Sequence, residues 1–318
     1  MLTLVFGPRQ RALLAELTDL EVFSGDYRDM DSVLASLKDV ELLFGTWGMK
    51  TLNEEFLAAA PKLEAVFYAA GSIRSFVTDA FWRSGITICS AWAANAIPVA
   101  EMTLSLIVLC LKQFFAHSKN YTSPEGYRRR PVAGAYQSTV GLIGLGMIGR
   151  NVRHLLNNLE LDVLAYDPYL SEEEAKELKV TKVSLEELFA QSDVVSLHAP
   201  NIPATRHMIR GEHFRVMKQN ASFINTARGA LVHEGEMIEV LQQRPDITAI
   251  LDVTHPEPPE AGSPLYTLPN VILTPHIAGS MGQECWRMAQ FMVEECQRYL
   301  AGEKLLYQVT EEMMKTMA

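Results

Sequence analysis

The run Gly141-Leu-Ile-Gly-Leu-Gly-Met-Ile-Gly149 narrows what this chain can fold into more than any other feature, because Gly144, Gly146 and Gly149 are spaced G-x-G-x-x-G. The spacing alone is common. Its surroundings are not: an apolar stretch, Thr139–Gly144, reads as a strand leading in, and Met147–Leu159 reads as a helix leading out. A second strand, Asp162–Tyr166, then ends at an acid, Asp167. Each part has a physical task in a strand–turn–helix unit that binds a dinucleotide. Gly144 permits the tight turn, Gly146 lets the backbone approach a pyrophosphate, and Gly149 lets helix pack on strand. The helix N-terminus offers unpaired N–H groups and the positive end of its dipole to the phosphates. Asp167 would accept hydrogen bonds from ribose hydroxyls and repel a 2′-phosphate, so NAD (NADH) is expected over NADP. A plain tight turn with an exposed aspartate is the simpler alternative.

The rest of the chain carries the same alternation. Leu2–Phe6, Val40–Gly45, Leu63–Ala70 and Ile86–Ala91 read as short buried strands, separated by helical stretches at Arg9–Leu20, Ser32–Leu37, Leu52–Ala60 and Val77–Arg83. Thr51, with Glu54 three residues on, has the pattern of a capping box for the third of these helices. Val99–His117 reads as one long helix, apolar nearly all round and so buried between domains or subunits. Beyond the polar stretch 118–137, strands are expected at Val194–His198, Ser222–Thr226, Thr248–Val253 and Val271–Thr274, and a last helix at Gly282–Leu300. Alternating strands and helices predict α/β domains with parallel sheets. A length of 318 residues corresponds to about two domains.

Composition removes other classes. A hydrophobic fraction of 48% is far from that of a disordered chain, and a net charge of −10 argues against nucleic acid as a partner. The one basic cluster, Arg128-Arg129-Arg130, reads as a solvated turn. The longest apolar run, Met102–Leu111, is bounded by Glu101 and Lys112 and falls short of the ~20 residues a spanning helix needs, so no membrane partner is expected. The N-terminus shows neither a basic region nor a signal-length apolar stretch, so no leader is expected. Four scattered cysteines (Cys89, Cys110, Cys285, Cys296) offer no metal site and fit a reducing, cytoplasmic location.

Three later segments place chemistry at predicted strand ends, the edge where open α/β sheets bind ligands. In Ile224-Asn-Thr-Ala-Arg228, the guanidinium could clamp a carboxylate at two points, or form an ordinary surface ion pair. In Asp252-Val-Thr-His255-Pro-Glu257-Pro, prolines flank a carboxylate that could equally belong to an acidic surface loop. In Leu273-Thr-Pro-His276, the imidazole is placed for general acid/base work, or is a satisfied strand-end histidine. As a set they form a carboxylate clamp, an acid/base, and an anionic partner that favours the imidazolium.

With these motifs in order, the chain resembles the D-isomer-specific 2-hydroxyacid dehydrogenase family over nearly its whole length. The glycine run 141–149, the stretch Ser196-Leu-His-Ala-Pro through Ile209, Asn225-Thr-Ala-Arg-Gly229, Asp252 through Glu257-Pro, and Thr274-Pro-His276 each resemble a family signature, as does Asn95 through Glu101. The resemblance implies that Arg228, Glu257 and His276 are catalytic. Arg228 would hold the substrate carboxylate, His276 would protonate the keto oxygen, and Glu257 would pair with His276. It implies that Gly144, Gly146, Met147, Ile148, Gly149, Asp167, His198, Ala199, Pro200, Thr205, Thr226, Ala227, Asp252 and Gly279 border NAD, with Asp252 on the nicotinamide carboxamide. Backbone N–H groups at Ala70, Gly71 and Ser72 would complete the substrate site. The implied architecture is a Rossmann NAD-binding domain, residues 99–284, inserted in a flavodoxin-like substrate domain built from 1–98 and 285–318, both doubly wound parallel sheets, with the active site in the cleft. A small anionic 2-oxo or 2-hydroxy acid, such as glyoxylate or hydroxypyruvate, is the implied substrate, and a homodimer the implied assembly.

Two departures stand out. The substrate loop reads Ala70-Gly-Ser-Ile-Arg-Ser75 where the family often has G-x-D-N, so Arg74 either faces solvent or presents a second cation. Thr254 stands where phenylalanine is common. Glu257 in place of glutamine disfavours formate oxidation. An NAD(H)-sensing, corepressor-like binding protein on the same fold is the alternative from another class, and the trio Arg228, Glu257 and His276 favours the enzyme. The chain runs only a short way past its last helix, so no appended regulatory domain is expected.

Overall fold

The structure is a computed structural model describing residues 2–317, so the outermost residue at each end of the expected substrate domain lies outside it. The chain divides into two compact units, Met1–Ala96 with Ser280–Ala318, and Ile97–Gly279. These divisions fall a few residues from those expected.

The first unit opens with α1 (Leu2–Val5), α2 (Pro8–Leu17) and α3 (Met30–Ala35). It continues through β1 (Leu42–Gly45), α4 (Glu54–Ala59), β2 (Ala65–Tyr68), α5 (Asp79–Ser84) and β3 (Thr87–Ser90). The chain leaves this unit within α6 (Trp92–Leu111) and continues through α7 (Phe114–Asn120). Next come β4 (Tyr136–Ile143), α8 (Met147–Leu156), β5 (Glu160–Tyr166), α9 (Glu172–Glu177), β6 (Thr181–Lys182) and α10 (Leu185–Gln191). The second unit closes with β7 (Val194–Leu197), α11 (Gly211–Arg215), β8 (Ser222–Asn225), α12 (Glu234–Gln243), β9 (Thr248–Leu251) and β10 (Val271–Leu273). Helix α13 (Glu284–Leu300) belongs again to the first unit.

In the first unit β1, β2 and β3 pair in that order, all parallel. Residues alternate between two faces, as the two-residue repeat of a strand requires. Ala65, Phe67 and Ala69 join a core with Val5, Phe6, Leu14 and the buried stripe of α13, while Val66, Tyr68 and Ala70 join one with Leu37, Phe56 and Phe81. The sheet has three strands rather than the four expected, because Leu2–Phe6 is helical. Thr3 and Leu4 are exposed while Val5 and Phe6 are buried, a pattern that does not alternate, and the Phe6 amide donates to the Leu2 carbonyl at 2.8 Å. A short apolar run does not by itself distinguish a strand from a helical turn.

The second unit holds a seven-stranded parallel sheet in the order β10-β9-β8-β7-β4-β5-β6. Ile143, Val195, Leu197, Phe223 and Leu251 face α10–α12, where Phe189, Phe214 and Leu241 are fully buried. Val140, Leu142, Val163, Ile224 and Ile250 face α6 and α8. Each buried phenylalanine contributes on the order of 2–3 kcal/mol. Two-residue β6, polar and exposed, carries no sequence signal and was not expected.

The single helix expected at Val99–His117 starts earlier, at Trp92, and ends at Leu111; α7 follows after Gln113, which adopts a left-handed conformation (φ 47°). Counting only the uninterrupted apolar run understated its length. The 20-residue α6 is long and apolar enough to cross a membrane by length and composition, and its Ala100, Leu106, Ile107, Cys110 and Leu111 are buried in the core of the second unit.

Candidate active site

In the second unit the chain leaves β4 for β5 on one side while β7 pairs on the other, so the sheet order reverses beside the end of β4. Ligands bind outside the carboxyl ends of strands at such a point. The glycine turn lies there, and each glycine meets a distinct constraint. Gly144 has φ +87°, and a Cβ on it would sit 2.8 Å from the Ala199 amide nitrogen. A Cβ on Gly149 would sit 2.1 Å from the Gly144 carbonyl oxygen. Gly146 faces open space, caps α8 through its backbone only, and leaves the helix without a side-chain cap. The first-turn amides of α8 are therefore free for an anionic ligand. Exposed Met147 opens the helix, while Ile148 packs partly against the core.

Asp167 follows β5. Its carboxylate accepts from the Leu145 amide (2.7 Å) and the Tyr169 amide (2.9 Å), so it pins the glycine turn, a role the sequence reading did not include. At the end of β7, His198 is buried; one ring nitrogen, Nε2, pairs with Ser196 Oγ (2.9 Å) and Nδ1 has no partner among the described residues. Burial pushes its pKa down to about 4, so it is neutral near pH 7. Ala199 closes against Gly144, and Thr205 Oγ1 bonds the Pro200 carbonyl while accepting from the Ile202 amide (3.1 Å), which folds the following loop. Open space at Gly146, uncapped amides and an orphaned buried imidazole nitrogen together fit a dinucleotide.

The acid/base and clamp candidates lie at the ends of β8, β9 and β10. His276 Nδ1 is 2.6 Å from Glu257 Oε1; with the carboxylate accepting, Nδ1 carries the hydrogen and Nε2 is left available. Arg228 is half-buried, and no carboxylate lies within 4.0 Å of it among the described residues. Burial pushes its pKa down, and the Glu257 carboxylate acts in the opposite direction, so Glu257 influences both His276 and Arg228. Asn225 shapes the Arg228 turn, accepting from the Ala227 amide and donating to the Arg228 carbonyl, both at 3.0 Å. Gly229 touches the neighbouring segment so closely that a Cβ would lie 2.0 Å from the Thr254 carbonyl carbon. Thr226 is buried and shares a 3.2 Å hydroxyl hydrogen bond with Thr103 of α6.

Asp252 does more than the resemblance assigned to it. It is 1% exposed, and its carboxylate accepts from Thr274 Oγ1 (2.5 Å) and from the Ile277 (2.9 Å) and Ala278 (2.8 Å) amides. Its carbonyl accepts from the His276 amide at 2.9 Å. His276 itself has φ +55°, a left-handed conformation costing about 1–2 kcal/mol in a non-glycine residue. The hydrogen bonds that Asp252 accepts hold that conformation, the last of them coming from the amide of Ala278, the residue before Gly279.

The first unit carries a loop of its own after β2. Ser90 Oγ donates to the Ala70 (2.9 Å) and Gly71 carbonyls, and Thr46 Oγ1 to the Ala69 carbonyl (3.2 Å). The Gly71, Ser72 and Ile73 amides have no acceptor among the described residues. Arg74 is exposed, and its guanidinium donates to the Met314 and Met317 carbonyls rather than standing as a free cation.

A sheet-order reversal, a glycine turn and a strand-end acid define the second unit as a dinucleotide-binding fold of the dehydrogenase type. Residues 104–278, more than half of the chain, match the family model described as "D-isomer specific 2-hydroxyacid dehydrogenase, NAD binding domain". The chain belongs to the D-isomer-specific 2-hydroxyacid dehydrogenase family. It is 32% identical to the D-3-phosphoglycerate dehydrogenase of Methanocaldococcus jannaschii, covering 92% of this chain and 55% of that protein. The chain thus spans about half the length of the curated relatives it matches first. In structure it is similar to the D-mandelate dehydrogenase of Rhodotorula graminis (TM-score 0.81, 23% identity, 94% of each chain). It is also similar to an acyclic imino acid reductase in complex with NADPH and D-Arg (TM-score 0.76, 22% identity, 95% of each chain).

Proposed function

We propose that the protein is an NAD(H)-dependent oxidoreductase interconverting a small 2-oxo acid and its D-2-hydroxy acid. The observation that carries this reading is the 2.6 Å His276–Glu257 pair beside an arginine with no carboxylate partner of its own. Arg228 would receive the substrate carboxylate through two parallel N–H···O bonds, replacing the solvation that burial removes. His276 Nε2 would donate a proton to the keto oxygen in reduction and take it back in oxidation. Glu257 would hold the imidazole in the required tautomer and stabilise its cation. Bound NADH supplies the hydride. The α8 amides near Gly146 would hold its pyrophosphate, with His198, Pro200, Thr205, Ala227 and Asp252 around it.

Preference for NADH over NADPH rests on Asp167, because a carboxylate at the end of β5 repels a 2′-phosphate. The fold is compatible with either cofactor, as the NADPH-bound relative illustrates. Exposed Phe114, Tyr121 and Tyr127 support a homodimer, and four free thiols fit a cytoplasmic location. The test is a panel of 2-oxo acids, glyoxylate and hydroxypyruvate among them, with NADH or NADPH followed by nicotinamide absorbance. His276→Ala should lower kcat by about 10²–10⁴-fold. Unchanged turnover in that variant would refute the acid/base role; a sensor would bind NADH and turn over nothing. Equal use of NADPH would remove the role given to Asp167.

A further inference from the structure

The unit built from both ends of the chain contains a path of contacts from α13 to the loop after β2. Glu295 of α13 is fully buried. Its carboxylate takes a 2.7 Å hydrogen bond from Arg298 and accepts from the Leu306 and Tyr307 amides at 3.0 Å. Held there, the chain runs beside β3: Gln308 bridges Cys89, and the Val309 amide donates to the Ile88 carbonyl at 2.9 Å. Met313, Met314 and Met317 then pack on the core that contains Ile73 and Phe76. A short 3₁₀ turn at Met313–Lys315 leaves carbonyls at its end, and Arg74 covers two of them, at Met314 and Met317. A guanidinium at a helix C-terminus satisfies orphan carbonyls and the negative end of the dipole together. Arg74 has no carboxylate within 4.0 Å among the described residues, so these carbonyls are its partners.

We infer that Arg74 is a positioning residue, which fastens the 70–74 loop to the C-terminal segment and so holds the Gly71, Ser72 and Ile73 amides as a preformed cradle for an anion. The inference rests on the proposed function only in naming that anion as the substrate carboxylate. The loop carbonyls at Ala69, Ala70 and Gly71 are taken by Thr46 and Ser90, and the Ile73 carbonyl accepts from the Phe76 and Val77 amides, so what Arg74 adds is the hydrogen bonds that tie the loop to the C-terminal segment. Arg74 is thereby withdrawn from substrate, and the loop offers main-chain donors to a single carboxylate rather than a side-chain cation to a second anionic group.

The test compares full-length Arg74→Ala, Arg74→Lys, and the pair Met314→Ser with Met317→Ser, which loosens the segment without touching Arg74. With saturating NADH, Arg74→Ala should raise KM for a monoanionic 2-oxo acid about tenfold while kcat stays within about twofold. Lysine should recover most of that loss. The methionine pair should raise KM in the same direction, and combining it with Arg74→Ala should add less than about twofold, because both break one connection. An unchanged KM, or fully additive effects, would overturn the inference. So would a loss far greater for a phosphorylated 2-oxo acid, which would make Arg74 a substrate cation. Amide hydrogen exchange in the 70–76 segment, measured without substrate, separates this idea from the enzymatic reading. Exchange should quicken in Arg74→Ala and in the methionine pair. Quickened exchange in a protein that turns over no 2-oxo acid would sink the enzyme and leave the positioning role standing; unchanged exchange would sink the positioning role alone.

Discussion

The loop around His276 and the loop around Gly71 occupy equivalent places, each just past the C-terminal end of a parallel strand in its own sheet, and they are held by opposite means. The His276 loop is organised by Asp252 on the adjacent strand, within 26 residues in sequence, and its neighbouring turns are locked by backbone contacts at Gly144, Gly149 and Gly229. The Gly71 loop is fastened by Arg74 to carbonyls more than 200 residues away. One geometry is written in local spacing, where glycines and acids sit at fixed offsets. The other depends on where the far end of the chain packs. Local determination leaves a motif; distant determination leaves single residues that look incidental.

If that contrast is right, the glycines of the second unit should fail in two different ways. Gly229→Ala places a methyl against Thr254 backbone, which cannot retreat as a flexible side chain could, and should cost about 3 kcal/mol or more in stability. Gly146→Ala meets nothing within 4 Å and should leave the melting temperature unchanged. There the methyl enters the space proposed for the pyrophosphate, and NADH should bind about ten- to a hundredfold more weakly in a fluorescence titration. A large loss of stability at Gly146, or none at Gly229, would break the division between glycines that build the turn and the glycine that admits a ligand.

How much of this was legible beforehand follows the same division. The glycine turn, Asp167, and the strand-end order Arg228, Glu257, His276 could be read because parallel strands send their ends to one edge. The His276–Glu257 pairing then followed from two strand ends brought side by side. What could not be read was how those groups are held: Asp252 bonding two amides of the histidine loop, Asp167 pinning the Leu145 amide, and Arg74 turned toward the C-terminal segment. Each is a side chain satisfying backbone donors or acceptors, and which amides need a partner is decided only once the chain has folded. The misread elements share a cause. Leu2–Phe6 was too short for its period to separate helix from strand, and β6 is two polar residues long.

The second unit should also respond to acid through a group the first unit has no equivalent for in this site. His198 is buried and neutral, with a pKa near 4 against about 6.5 when unfolded. A histidine with a lowered folded pKa binds more protons unfolded than folded between those values. Its neutral burial therefore contributes no pH penalty above about pH 6.5, and stability falls as pH drops from there toward 4. The full difference is on the order of 3 kcal/mol. His198→Gln keeps a polar partner for Ser196 and removes the titration, so the fall in melting temperature from pH 6.5 to 4 should become shallower in the cofactor-free protein. Parallel curves for variant and parent would show that another group controls the acid limb.

The smallest effect tests the contrast from the side of the first unit, at the start of α4. Local spacing there favoured Thr51 as the cap, with Glu54 completing a capping box. The cap is instead Asn53, whose side chain accepts from the Phe56 amide at 2.9 Å. The displacement has a distant cause: Leu52 pairs with Val77, its amide donates to the Phe76 carbonyl at 2.7 Å, and Thr78 Oγ1 donates to its carbonyl at 2.6 Å. Residue 52 is thereby kept extended, and the helix cannot begin until 54. Asn53→Ala should cost about 1 kcal/mol in urea unfolding, with an unchanged denaturant slope, while Thr51→Ala, exposed and uninvolved, should cost almost nothing. Equal losses at the two positions would return control of this helix to its local sequence and narrow the difference between the units to the Arg74 loop.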